Sequence, residues 1–178
     1  AADLSNITAN SVTAAVDDNV TFTGTIGKAV VTVASGKTFT STAAKVNGET
    51  LNGDGTVAIT ALDATAAADL SNITANSVTA NVANNVTFTG TIGKAVVSVD
   101  SGKTFTSTAA KVNGETINGD GTVAITALDA TAAADLSNMT ANSVTANVAD
   151  NVTFTGTIGK AVVSVDSGKT FTSTAAKV

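Results

Sequence analysis

Residues 20–42 read VTFTGTIGKAVVTVASGKTFTST, and two spacings inside this stretch decide the fold. The first is a period of two. Val20, Phe22 and Ile26 share one face while Thr21, Thr23 and Thr25 share the other, which is the alternation of a strand with one buried side. Its β-branched residues suit that conformation. The second spacing is longer: the step from Phe22 to Phe39 returns unchanged from Phe88 to Phe105 and from Phe154 to Phe171. The same strand chemistry returning at that step is the mark of a chain that winds, and it places the Phe22 ring over Phe39 on an adjacent strand.

Extended outward, the step falls near Ile7 and on Val57 to Ile59. It cuts the sequence into four coils, Asn6 to Asp18, Asn19 to Gly36, Lys37 to Gly55 and Thr56 to Ser71. Turn-forming clusters separate them: Asp17-Asp18-Asn19, Ser35-Gly36 and Asn52-Gly53-Asp54-Gly55. Each coil is expected to open with a strand (NIT, VTFT, TFTST, VAIT), the second adding AVVTV. In the third, STAAKVNG reads as one short helical turn closed by Gly48. The expected fold is all-β, a β-solenoid resembling a parallel β-helix, with about four coils in 66 residues. Stacked at about 4.8 Å per step, they would enclose a thin core of Val, Ile, Phe and Ala. The alternative is a string of small β-sandwich modules, for which 66 residues is short against roughly 100.

The figure of 66 comes from an internal repeat. AADLSNITANSVTA begins at Ala1 and again at Ala67, and AADLSNMTANSVTA begins at Ala133. The chain divides into repeat 1 (1–66), repeat 2 (67–132) and an incomplete repeat 3 (133–178), expected to form one continuous solenoid. Over 46 shared positions, copies one and two differ only at Ala15/Asn81, Asp17/Ala83, Asp18/Asn84, Thr32/Ser98 and Ala34/Asp100. Such near-identity indicates recent tandem duplication in a longer array. The absence of distinct capping sequence agrees with that, since solenoid ends carry atypical caps.

Composition removes most enzyme chemistry. Thr and Ala dominate the chain, while Pro, Cys, His, Trp, Tyr and Arg are absent. There is no imidazole base, thiolate nucleophile, Cys/His zinc site or guanidinium fork. The net charge is -5, from 14 acids against nine lysines spread singly. Nucleic acid is therefore not an expected partner, because phosphate binding needs a basic face. No run approaches the roughly 18 apolar residues of a membrane span, and patterned sequence begins at Ala1 without a signal-peptide pattern.

The segment TFTSTAAKVNGETLNGDGTVAITALDATAAADLSNITANSVTA, residues 38–80, resembles the tandem β-strand repeats of very large secreted or surface-displayed bacterial proteins, including repetitive adhesins and surface-layer-like proteins. The resemblance spans the whole chain. It implies an extracellular or cell-surface structural or adhesive role, often with type I secretion and calcium. The glycine-rich nonapeptide of regular calcium-binding coils is absent, however, and NGDG at Asn52 to Gly55 and Asn118 to Gly121 is only a fragment of it.

The residues with chemical potential also have simpler roles. Asp54 and Asp120, with Asp17 and Asp18 one coil boundary away, carry oxygen ligands for a hard cation, but Asp and Asn also simply make turns. Asp17 and Asp18 become Ala83 and Asn84 in the next copy, so no metal site is assigned and no cofactor is expected, calcium being the one the resemblance brings in. Thr21, Thr23 and Thr25 on one coil and Thr38, Thr40 and Thr42 on the next form an outward ladder that could meet a glycan or other surface. Thr is equally the ordinary polar choice for the outer face of a strand, and Gly24 interrupts the lattice. Six N-x-Thr sequons fall at Asn6, Asn19, Asn72, Asn85, Asn138 and Asn151, copies of two sites. Lysines recur at 28, 94 and 160, at 37, 103 and 169, and at 45, 111 and 177. At turns and coil starts they confer solubility and discourage edge pairing. An active site should make one coil unlike the others, and these repeats are interchangeable, so no catalytic residue is assigned. The expectation is a non-enzymatic structural array, a stalk, fibre or surface-layer component able to associate end to end; the alternative is an adhesive module that uses the Thr ladders.

Overall fold

The computed structural model describes residues 1–177. The chain is a β-solenoid of about nine turns, nearly all parallel β with 6% helix. Every strand pairing among the described residues is parallel, whereas sandwich modules are built from antiparallel sheets. The chain divides into two compact units.

The first unit comprises Ala1–Ala83 and Gly90–Val96. One ladder contains Thr13–Val16, Val30–Val33 and Leu51–Asn52, with Ile73 bridged to Leu51. A second contains Val20–Thr21, Thr38–Ser41, Thr56–Ile59 and Ser77–Val82. Along it Val20 faces Phe39, Phe39 faces Val57 and Val57 faces Val78, so each inward rung recurs after one turn of chain. The third side of each turn has little strand: Asp3 bridges Thr25, and the helical turn Ala43–Val46 meets the 3-10 turn at Leu62–Ala64. Alternate side chains point inward, so Val33, Leu51, Val57, Leu62 and Ile73 are fully buried.

The second unit comprises Asn84–Thr89 and the chain from Val97. Its longest ladder runs Val86–Thr87, Thr104–Ser107, Thr122–Ile125, Ser143–Val148 and Val162–Val165. Two shorter pairings join Val96–Val99 to Ile117–Gly119 and Val152–Thr153 to Phe171–Thr172. Phe105, Ile117, Val123 and Leu128 are fully buried.

The Phe pairs form as their sequence step predicts. The rings of Phe22 and Phe39 are 5.5 Å apart and tilted by 31°, the offset arrangement aromatic pairs prefer. The residue in register with Phe39 is Val20, however, and Phe22 lies just past the end of that two-residue strand, its N–H donating to the Thr40 carbonyl at 2.7 Å. The rings therefore meet diagonally, and a full turn is longer than the Phe step. A repeat accordingly spans between three and four turns rather than a whole number. Within the first unit, Thr13–Val16 and part of Ser77–Val82 are the same stretch of successive repeats, yet they stand in different ladders.

The helical turn expected from STAAKVNG is present at Ala43–Val46 and Ala109–Val112. Gly48 and Gly114 follow it at φ 72° and 75°, the left-handed conformation that ends helices. Expectation and structure differ at the start of each repeat. The NIT strand is reduced to single bridges at Ile73 and Met139, while SVTANV, not anticipated, forms the six-residue strands Ser77–Val82 and Ser143–Val148. Two of its inward positions are Val and one is Ala, so its apolar alternation is muted in the sequence.

Candidate functional site

The polar side chains that recur in every copy reach mainly to the neighbouring turn. The Asn19 Oδ1 accepts the backbone N–H of Thr38 at 2.9 Å, Asn85 that of Thr104 at 2.9 Å, and Asn151 that of Thr170 at 2.8 Å. Asn47 and Asn113 accept from the N–H of Asp69 and Asp135, both at 2.8 Å. Asp63 and Asp129 accept from Ala83 and Ala149 at 2.9 and 2.7 Å. The buried Ser41 and Ser107 hydroxyls donate to the carbonyls of Phe22 and Phe88 at 2.7 Å. Each of these bonds spans 19 to 22 residues, one turn of chain. No buried side-chain nitrogen or oxygen among the described residues lacks a partner.

This accounts for three of the six sequon asparagines: Asn19, Asn85 and Asn151 are exposed clasps between turns. Asn6, Asn72 and Asn138 are also exposed. Lysines behave similarly. Lys37 pairs with Asp18 at 3.4 Å and Lys169 with Asp150 at 2.7 Å, while the Lys94 and Lys160 ammonium groups donate to the carbonyls of Ala75 and Ala141. The Asp150 carboxylate raises the pKa of Lys169 above its ordinary value.

The candidate cation ligands are spread out. Asp54 and Asp120 are exposed at turns beside Gly53 and Gly119, whose φ values are 103° and 102°, and Asp18 is engaged by Lys37. Among the described residues no group of three or more His, Cys, Asp or Glu side chains could hold a metal ion. The Ser5 and Ser137 hydroxyls, with their backbone N–H groups, hold the Asp3 and Asp135 carboxyls below the usual range. Burial pushes the Glu49 and Glu115 carboxyls up.

The Thr ladder is present but short. In the first unit Thr38, Thr56 and Ser77 form one rank across three strands, and Thr21, Thr40, Ala58 and Thr79 form a second. Thr25 belongs to another side of the turn, where it bridges Asp3. The second unit repeats the pattern with Thr104, Thr122 and Ser143 beside Thr106, Ala124 and Thr145. Alanine thus breaks one rank in each unit, and Thr38 and Thr40 are only half exposed.

One concavity of the first unit is apolar. A cavity of about 340 Å³ opens beside Thr13–Val16 and is lined by Ala14, Val16, Val20, Phe22, Ile26 and Phe39 among others. Reading residue types for chemistry did not find it, nor the roles of Ser41, Asn47 and Asp63; the available signal was their recurrence about one turn from a backbone partner. No helix among the described residues is long and apolar enough to cross a membrane. Comparisons with protein families, curated proteins and solved structures give no match to the chain.

Proposed function

We propose that the chain is a structural repeat array, part of an extracellular or cell-surface stalk, fibre or surface layer, with no catalytic role and with the capacity to associate end to end. The observation that carries this reading is where the recurring polar groups go. Asn19, Ser41, Asn47 and Asp63, the side chains with the chemistry to bind or react, are each spent on the backbone one turn away. The resemblance to repetitive surface proteins points the same way.

Cohesion between turns predicts that stability grows with length, because each turn depends on its neighbours. Chains of one, two and four repeats should melt at successively higher temperatures, and small-angle scattering should give a rod that lengthens in equal steps. Equal melting points with no rod-like growth would refute the array. Adhesion through the Thr ranks is the second reading, resting on the paired rows Thr38–Thr56–Ser77 and Thr104–Thr122–Ser143. A glycan array probed with the same chains separates the two.

A further inference from the structure

Two sets of N-x-Thr sequons recur through the repeats, and the fold treats them differently. In the first set the middle residue points inward: Ile73 and Met139 are 0% and 1% exposed and form single parallel bridges to Leu51 and Ile117. Strand alternation then turns the residues on either side outward together, and Asn72 with Thr74, and Asn138 with Thr140, are exposed. The neighbouring turn holds their backbones. The Asn72 and Asn138 carbonyls accept from the N–H groups of Leu51 and Ile117, both at 3.3 Å, and the Thr74 and Thr140 N–H groups donate to the Leu51 and Ile117 carbonyls, both at 2.8 Å. Among the described residues the side chains of Asn72, Thr74, Asn138 and Thr140 make no hydrogen bond. Asn6 opens the first copy of this sequon, but Ile7 is 39% exposed and has no such bridge.

The second set is exposed as well, yet its amides are engaged. In the first unit the Asn19 Oδ1 accepts from the Thr38 N–H; in the second, Asn85 and Asn151 accept from Thr104 and Thr170. An amide held this way cannot turn without breaking a bond between turns. Asn72 and Asn138 break nothing when they turn, and each stands beside the hydroxyl two residues on that completes the acceptor sequence.

We propose that Asn72 and Asn138 are acceptor sites for an N-linked oligosaccharide delivered from a lipid diphosphate donor, and that Asn19, Asn85 and Asn151 are structural asparagines that the folded chain withholds. The asparagine Nδ2 forms a bond to the anomeric carbon of the first sugar while the bond from that carbon to the diphosphate oxygen breaks. The lipid diphosphate leaves with the electron pair, and the amide proton passes to a base of the transferase. A glycan at these positions is bulky and solubilising and displaces none of the bonds that join the turns. This deepens the extracellular reading and rests on it.

The test offers the folded 178-residue chain, and peptides of residues 70–76 and 83–89, to a single-subunit oligosaccharyltransferase that reads N-x-Thr alone, with a polyprenyl diphosphate-linked oligosaccharide as donor. Mass spectrometry maps the modified sites. The folded chain should gain glycan at Asn72 and Asn138, with Asn85 and Asn151 slower by at least about fivefold, the factor that one hydrogen bond of about 1 kcal/mol imposes. The two peptides should react alike, because neither carries the clasp. Asn72→Gln and Thr74→Ala should each lose the glycan at Asn72 alone, with Asn138 as the internal control and the melting temperature unchanged. Absence of transfer to Asn72 and Asn138 in the folded chain, equal transfer to Asn85, or the same preference between the peptides would each overturn the proposal. The array reading is checked separately by the length dependence of melting, so one can fail while the other stands.

Discussion

Gly121 and Gly102 lie in the same unit and are glycine for different reasons, which makes the pair a sharp test of how the turns stack. Gly121 is buried before Thr122–Ile125, its N–H donating to Val99 and its carbonyl accepting from Ser143 at 3.0 and 3.2 Å. It does not have a positive φ, so alanine's backbone preference is no obstacle. The obstacle is space: a methyl there would stand 2.5 Å from the Asp100 carbonyl oxygen, 2.6 Å from Val99 Cγ1 and 2.7 Å from the Lys103 carbonyl oxygen. Ordinary contact would require a retreat of up to about 0.9 Å. That opens the stack at the Gly121–Val99 bond and at the Thr122–Lys103 bond of 2.8 Å. Two such bonds at about 1 kcal/mol each, with about 1–3 kcal/mol for overpacking, put Gly121→Ala at about 3–5 kcal/mol. Gly102 has φ 71°, and a methyl added there meets nothing within 4 Å. Alanine there meets only the left-handed penalty of about 1–2 kcal/mol, offset by about 0.5–1 kcal/mol from a stiffer unfolded chain. Urea unfolding followed by circular dichroism measures both. If Gly102→Ala costs as much as Gly121→Ala, close approach of successive turns is not what fixes these glycines.

Asn85→Ala removes the acceptor for the Thr104 N–H and should cost about 1 kcal/mol in the same assay; Asn85→Asp keeps an acceptor and should recover most of it. Burial raises the Glu115 carboxyl pKa above the unfolded value of 4.5, so the folded chain holds that proton more tightly. Its contribution is full below the unfolded value and is lost as pH rises through the folded one. Glu115→Gln should therefore melt higher than wild type at pH 7 and show no gain below pH ~4, a difference that pH-dependent thermal scans read directly.

The fold was legible because the strongest signals are turn-to-turn ones. The Phe step marks neighbouring turns, and the GTVAIT and GKTFTS stretches carry clean alternation into Thr56–Ile59 and Thr38–Ser41. Where Ala replaces a large residue at an inward position, as at Ala80 in SVTANV, the alternation fades although the position is just as buried. The coil count was set by Phe22 and Phe39, which meet diagonally, and that shortened the inferred turn. The clasps were hidden differently. Asn19 reads as a turn former and a sequon, and only the stacking of Thr38 one turn away reveals its acceptor role.

The mismatch between the repeat and a whole number of turns separates the features that duplication can copy from those it cannot. A contact between one turn and the next needs only its immediate neighbour, and these are reproduced closely: the Phe pairs at 5.5, 5.5 and 5.6 Å, and the Asn clasps at 2.9, 2.9 and 2.8 Å. A binding face of identical side chains needs equivalent residues to fall on the same side. In the first unit they do not, since Thr13–Val16 and its later copy within Ser77–Val82 occupy different ladders. The Thr ranks accordingly end after three or four rungs and are broken by Ala58. Each added repeat thus copies cohesion between turns without lengthening one adhesive stripe. That asymmetry fits the array we propose better than a recognition surface: the Asn, Ser and Phe contacts between turns recur in each copy, while no Thr rank lengthens with them.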